Sequence, residues 1–207
     1  MVDRSFRLGD HGRYLISQNV RTPPINEVAN YVVVDLEATC WEGSKTPEME
    51  IIEIGAVYLD GSHLQEVKDF GQFVRPIENP TLTDFCTNLT TITQSRIDNA
   101  PAFSDAFAAW MDWIGGSKFK LVSWGEFDYD LIVAECRRHH VQLPSNFVNH
   151  INLKPLFASV HSTKSSIGFR EALGKLKMRF EGTLHRGIDD ARNIAKVAKT
   201  LLILDQT

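Results

Sequence analysis

No segment of this sequence is apolar for long enough to cross a bilayer, and no two of its cysteines form a C-x-x-C pair. Neither a membrane-spanning anchor nor a zinc ribbon is expected. The 3 cysteines, Cys40, Cys86 and Cys136, are odd in number and far apart, so a disulfide framework is not expected either. They read as reduced, mostly buried thiols. The first residues, MVDRSFRLGDHGRYLIS, mix charges into every few positions and lack the continuous apolar stretch of a secretory signal, which predicts a cytoplasmic protein. Internal repeats and low-complexity tracts are missing as well. Positive charge is not in excess: 22 Lys and Arg face 26 Asp and Glu, a net charge of -4. That balance opposes non-specific coating of nucleic acid, which depends on cations neutralising phosphates.

What remains is the composition of a soluble globular protein, 43% hydrophobic and 23% charged, in 207 residues that fit one domain of ordinary size. Residues 1–29 are polar and aperiodic and end near Thr22-Pro23-Pro24, so they read as an N-terminal arm to a domain spanning 30–207. Tyr31-Val32-Val33-Val34 is a short β-branched run, the mark of a strand buried on both faces. Ile51 to Leu59 and Val67 to Val74 are two more strand candidates, joined through Asp60-Gly61-Ser62 as an antiparallel hairpin. Ser104 to Ile114 has Phe107, Trp110, Met111 and Ile114 at helical spacing, with Ser104 as a candidate cap. A strand at Leu121 to Trp124 and a helix from Asp128 to His139 follow, then a loop at Pro144-Ser145 and helices at Gly168 to Lys177 and Asp189 to Leu204. A strand meander followed by strand and helix alternation predicts an α/β domain with helices packed on a mixed sheet.

Several acids interrupt these apolar patterns, where an unpaired charge is costly. Asp35 and Glu37 continue the first strand and, with a side-chain period of two, share one face. Two carboxylates side by side need a cation: either Lys or Arg, or a hard divalent metal bound through oxygen. On the last helix Asp189 and Asp190 are adjacent. Steps from Asp190 reach Ile194, Val197, Leu201 and Leu204, whereas steps from Asp189 reach Asn193, Lys196 and Thr200, so Asp190 faces inward and Asp189 faces solvent or caps. His185 lies five residues before Asp190, beside Arg186-Gly187, where a neutral imidazole suits a general base. Asp128 neighbours Leu131 and Ile132 and is the inward choice over Asp130, although the pattern does not exclude Glu126. Glu53 also interrupts a strand and is read as pointing to the sheet's other face, away from the other acids. From Lys164 to Arg186, Lys164, Arg170, Lys175, Lys177, Arg179 and Arg186 form either a phosphate-facing rim or a solvated face.

In order, Asp35-x-Glu37, Asp128 and His185-x4-Asp190 resemble the three motifs of the DEDDh superfamily of 3′-to-5′ exonucleases. The flanks DLEATCWEG, EIIEIGAV, FVRPIENPTLTDFCTNLTTIT, SWGEFD and HRGIDDARNIA are similar to Eri-type exoribonucleases, including the bacterial KapD-like branch, over residues 31–204. The resemblance implies a ribonuclease H-like fold, a five-stranded sheet flanked by helices, with two Mg2+ or Mn2+ ions held by Asp35, Glu37, Asp128 and Asp190. Asp35 would bridge both ions, Glu37 and Asp190 would complete one shell, and Asp128 would help hold the second. His185 would take a proton from the attacking water. It further implies that Phe85 and Phe127 sandwich the terminal base, against an ordinary core role for each. Leu36, Ala38 and Thr39 would contact the terminal sugar.

The expected substrate is the 3′ end of RNA or of single-stranded nucleic acid, the product a nucleoside 5′-monophosphate, and the oligomeric state a monomer by default. Trp41 and Trp124 read as packing residues. One departure stands out: where many relatives have Leu-Thr-Gly-Ile, this chain has Leu89-Thr90-Thr91-Ile92, a β-branched residue where glycine usually eases a turn. About thirty residues ahead of the domain are too few for a nucleic-acid-binding module, so substrate choice is assigned to the catalytic domain or a partner. Three rival readings share the site residues: a DNA proofreading or repair exonuclease, a regulatory protein without turnover, and a structural domain whose acids are ion-paired. The last requires five coincidences.

Overall fold

A computed structural model describes residues 29–43, 47–164 and 166–205. The expected N-terminal arm lies outside them except for its last residue. Five strands, β1 (Asn30–Ala38), β2 (Ile51–Leu59), β3 (Glu66–Phe73), β4 (Phe119–Ser123) and β5 (Ile151–Asn152), make one sheet in the order β3-β2-β1-β4-β5. The β1, β2 and β3 pairings are antiparallel, while β4 lies parallel to β1 and β5 parallel to β4. The sheet is therefore mixed, as the meander followed by alternation predicts. At the hairpin between β2 and β3, Asp60 Oδ1 accepts the N–H groups of Ser62 and His63, a side chain standing in for a turn of backbone.

Among the described residues seven α-helices flank the sheet: α1 (Asp84–Thr90), α2 (Gln94–Asp98), α3 (Phe103–Ile114), α4 (Phe127–Arg138), α5 (Leu153–Val160), α6 (Phe169–Lys175) and α7 (Gly187–Asp205). Strand alternation divides the core between two faces. Val32, Val34 and Leu36 of β1 pack with α3, α4 and the 3-10 turn at Ser145–Asn149, whereas Tyr31 and Val33 pack with α5, α6 and α7. On the first face Trp110 meets Phe107 and Phe147 edge to face, at centroid distances of 5.9 and 5.6 Å. Each such pair contributes about 1 kcal/mol beyond the burial of its area. Helix α3 begins one residue before Ser104. Ala102 stands at its N-cap with no side-chain bond, so Ser104 is not the cap that its spacing suggested.

Helix α7 packs across β1 and β2 by the predicted stripe. Ile194, Val197 and Leu201 are buried, and Ala191, Ala195, Ala198 and Leu202 widen the stripe, while the side chain of Leu204 lies outside the described residues. Its first turn sits so close to β2 that a Cβ added to Gly55 would fall 1.9 Å from the carbonyl carbon of Gly187. Only glycine permits this approach, and the approach brings the start of α7 against the acidic end of β1.

Candidate active site

Strand β4 pairs with β1 only as far as Val33 opposite Val122, after which the chain leaves the sheet for α4. Beyond that point the last residues of β1 border a crevice at the carboxyl ends of parallel strands, the usual place for a ligand in an open α/β sheet. Asp35 and Glu37 project there on the face covered by α7, as their spacing of two predicts. They are joined by Asp190 from the first turn of α7, and one carboxylate oxygen from each of the three lies within 4.8 Å of the others. Neither Asp35 nor Glu37 takes part in an ion pair among the described residues. The charge of Arg186 lowers Glu37 from a distance, but its guanidinium is bonded to Glu53.

The electrostatics agree. Burial pushes the Asp35 carboxyl well above its ordinary range, with Asp128, Asp190, Glu37 and Glu53 adding repulsion. Glu37 is raised to about 8, first by burial and then by the charges of Asp190, Glu53 and Asp128. Asp190 is raised to about 6 by burial, against the opposing pull of His185. Oxygen donors at this density, each penalised for being ionised alone, fit hard divalent cations.

Asp128 arrives from the first turn of α4 and is 5% exposed, whereas Asp130 faces solvent. The inward choice between them is confirmed. Its Oδ1 accepts the N–H of Leu36 at 3.0 Å, so the carboxylate caps the edge of β1 that β4 has left open. Burial raises it to about 7 even though this hydrogen bond and the charge of Lys154 pull downward. Asp128 stands apart from the three-carboxylate cluster while sharing its cavity. Glu126 is exposed and is engaged elsewhere, by Asn152 Nδ2 at 2.8 Å and His150 Nδ1 at 3.4 Å.

His185 overhangs the cluster from the turn before α7, with its backbone in the left-handed region at φ 57°. Three contacts that the sequence did not reveal hold this turn. Arg186 forks onto Glu53, and Gly187 N–H donates to Glu53 Oε2 at 3.0 Å. Glu53 pairs across the sheet with Glu37, so the two share a face and the expectation that Glu53 points to the other side is wrong. An inward Glu here requires the Arg186 partner, which lies 133 residues away and leaves no periodic trace. Asn193, counted with the polar side of α7, is fully buried. Its amide brackets the backbone of Glu181, accepting the N–H at 3.0 Å and donating to the carbonyl at 2.8 Å, and so anchors the segment leading to His185.

Asp35, Leu36, Glu37, Trp124, Phe127, Asp128, His185 and Asp190 all line one cavity of about 440 Å³. A groove of about 580 Å³ lies across Phe127 from it, walled by Glu48, Glu78 and Arg137, and carries none of these acids. Phe127 is 51% exposed and Phe85 41%, so the core reading of each fails. Only Phe127 lines the cavity; Phe85 stands on α1 outside that lining. The N–H groups of Leu36 and Thr39 are given to Asp128 and to the Glu50 carbonyl, Thr39 Oγ1 accepts the Glu50 N–H at 2.9 Å, and of Leu36, Ala38 and Thr39 only Leu36 lines the cavity. Trp124 packs on Phe157 and Phe169, as read. Thr91 takes φ 60° at the end of α1, so the departure from glycine keeps the left-handed turn and bears its strain.

Comparison with known proteins decides the family. A family model for the RNase T exonucleases matches residues 32–198. The chain belongs to this exonuclease family. Human 3′-5′ exoribonuclease 1 is 35% identical over 181 residues, covering 82% of this chain and 51% of the human protein. ERI1 exoribonuclease 2 of Xenopus laevis is 30% identical over 209 residues, covering 90% of this chain and 30% of that protein. The chain thus spans 30% and 51% of the length of these two relatives. Among solved structures, the nuclease domain of 3′hExo, a DEDDh family member bound to rAMP, is 31% identical with a TM-score of 0.80, covering 86% of this chain and 94% of that one. The five-stranded mixed sheet with flanking helices is therefore the ribonuclease H-like fold of the DEDDh nucleases.

Proposed function

We propose that this exonuclease shortens RNA, and single-stranded DNA, from the 3′ end, one nucleoside 5′-monophosphate at a time. The observation that carries the reading is the convergence of Asp35, Glu37 and Asp190 within 4.8 Å, with Asp128 and His185 lining the same cavity. The relatives named as exoribonucleases and the neighbour bound to rAMP support RNA as substrate and a mononucleotide as product.

Asp35, Glu37 and Asp190 would hold one divalent cation, and Asp35 with Asp128 a second, as Mg2+ or Mn2+. When bound, such a pair lowers the pKa of a water and stabilises charge on the leaving oxygen. His185 accepts the proton of the attacking water as its oxygen bonds to phosphorus. The bond from phosphorus to the upstream 3′ oxygen breaks with its electron pair on that oxygen, which takes a proton from solvent to become the new 3′ hydroxyl of the shortened strand. Arg186, through Glu53, keeps His185 over the acids. Phe127 stacks on the terminal base from the cavity wall, with Phe85 reaching it from α1, and base stacking of this kind tolerates any sequence. Leu36, Ala38 and Thr39 pack against the terminal sugar. No helix of the described residues is long and apolar enough to cross a membrane, and a cytoplasmic monomer is part of the same proposal.

The test is degradation of end-labelled single-stranded RNA, single-stranded DNA and stem-loop RNA, with magnesium, manganese or chelator, beside Asp35→Ala. Stepwise loss from the 3′ end that requires both metal and Asp35 is expected. Internal cleavage products would rule out the end-directed mechanism, and inert, well-folded, metal-loaded protein would favour a regulatory role.

A further inference from the structure

Two cations, one lining the acid-lined cavity and one over the turn that leads to Asp128, have no carboxylate of their own among the described residues. Lys154 stands in the first turn of α5, and its Nζ lies 3.6 Å from the position a Cβ would take on Gly125. It therefore overhangs the turn, held at φ +117° by glycine, that launches α4 and Asp128. Arg170, exposed in the first turn of α6, lines the same cavity as Asp35, Glu37, Asp128, His185 and Asp190. Neither cation is ion-paired among the described residues. By contrast, Arg138, Arg186, Arg192 and Lys196 are each bound to acids.

This divides the basic stretch that the sequence left open between a phosphate-facing rim and a solvated face. Of its six members, Arg186 is committed to Glu53, Lys164 and Lys175 border a different cavity with Glu171, and Arg170 alone lines the acid-lined one. Lys154, outside that stretch, supplies the cation that periodicity did not suggest. A polyanionic strand entering a cavity floored by four acids meets repulsion that unpaired cations at the rim offset. Arg suits a phosphate by its two-point fork and Lys as a compact charge.

We propose that Lys154 and Arg170 grip backbone phosphates of the strand's 3′-terminal nucleotides, Lys154 the one beside Asp128 and Arg170 an adjoining one. The inference rests on the nuclease reading above. Both residues set strand affinity, and neither touches the attacking water.

The experiment compares wild type with Lys154→Met, Arg170→Met, the double variant and Lys154→Arg on a fluorescein-labelled single-stranded oligoribonucleotide, over a range of potassium chloride concentrations. Binding is read by anisotropy with calcium, and KM and kcat with magnesium. Each Met variant is expected to weaken binding about tenfold, the worth of a charged hydrogen bond. It should also flatten the log-log salt dependence by about 0.7, the counterion release of one phosphate contact on a single strand. The loss falls on KM more than on kcat, and Lys154→Arg recovers most of it. A Lys154→Met protein with lowered kcat and an unchanged salt slope would overturn the assignment, since Lys154 would then act on Asp128 alone. Unchanged affinity and slope in the double variant would overturn it too. Wild type that binds with the expected slope, and loses it on substitution, yet never shortens the strand would refute the nuclease reading and support this one.

Discussion

Arg186 and Glu53 form a two-point ion pair, Nε to Oε2 at 3.0 Å and Nη2 to Oε1 at 3.1 Å, that fastens the turn carrying His185 to strand β2. Glu53 is 3% exposed and Arg186 19%, so the pair is largely withdrawn from water. Glu53 lies across the sheet from Glu37, whose carboxylate joins those of Asp35 and Asp190 in the cluster.

Removing one partner leaves the other charge buried without compensation. Arg186→Met is expected to cost about 3 kcal/mol of stability, within the range for breaking a buried pair. It should also lower kcat, because the His185 turn loses its anchor. Urea denaturation and turnover on the same preparation check both. A variant of wild-type stability with wild-type kcat would show that the pair is idle.

Without metal, burial above all holds Glu37 near 8, Asp128 near 7 and Asp190 near 6, with repulsion from Asp190, Glu53 and Asp128 adding at Glu37, above the ordinary 4.5 for Glu and 3.8 for Asp. Between those ordinary values and the raised ones the folded state binds more protons than the unfolded chain. Its stability is therefore greatest in acid and falls as pH rises from about 4 to about 8. Chelator-treated protein is expected to melt at lower temperature as pH climbs through that window. Magnesium should restore most of the loss at the upper end, where the carboxylates are ionised and the cation stabilises the folded state by mass action. Melting temperatures by scanning calorimetry, with and without magnesium, give the comparison. A metal-free melting temperature that rises between pH 5 and 8 would contradict the burial of these acids.

The adjacent pair Asp189 and Asp190 should behave oppositely. Asp189 accepts the N–H of Thr183 at 2.9 Å and pairs with Arg192 at 3.2 Å, so Asp189→Asn costs about 1 kcal/mol of stability and spares most of the activity. Asp190→Asn removes a member of the carboxylate cluster and should reduce kcat by orders of magnitude, as expected for groups that act as a unit. Melting curves and single-turnover rates on RNA distinguish the two. Equal losses of activity would undo the assignment by helix face.

Thr91 ends α1 at φ 60°, where a β-branched side chain crowds the backbone. Replacing it with glycine relieves that strain at some cost in unfolded-chain entropy, with an expected net gain of about 1 kcal/mol. Chemical denaturation reads the change. A loss of stability would mean that the Thr91 side chain makes a contact worth more than the strain.

Much of this site is written locally. The spacing of two between Asp35 and Glu37 fixes a common face on any strand, and the stripe from Asp190 through Ile194, Val197 and Leu201 fixes which acid of α7 turns inward. Periodicity failed where a polar residue satisfies itself at long range. Glu53 and Asn193 are buried because Arg186 and the backbone of Glu181 meet them, partners that no local pattern announces. Ser104 failed as a cap for a smaller reason, since α3 starts one residue early and needs no side chain there.

The sequence by itself determined four of the five strands of the described residues, helices α3, α4, α6 and α7, the inward acids Asp35, Glu37, Asp128 and Asp190 and the family motifs, because strand and helix periods assign faces without knowledge of neighbours. The short α1, α2, α5 and β5 carry too few residues for a period to show. Only the tertiary structure decided that α7 lies close enough to β2 for Gly55 and Gly187 to touch, and that β4 stops short so that Asp128 can reach Leu36. It alone set Lys154 and Arg170 apart from the other basic residues. The physical reason is shared: a carboxylate's cost and a cation's freedom depend on what stands across the fold, and that is settled by packing.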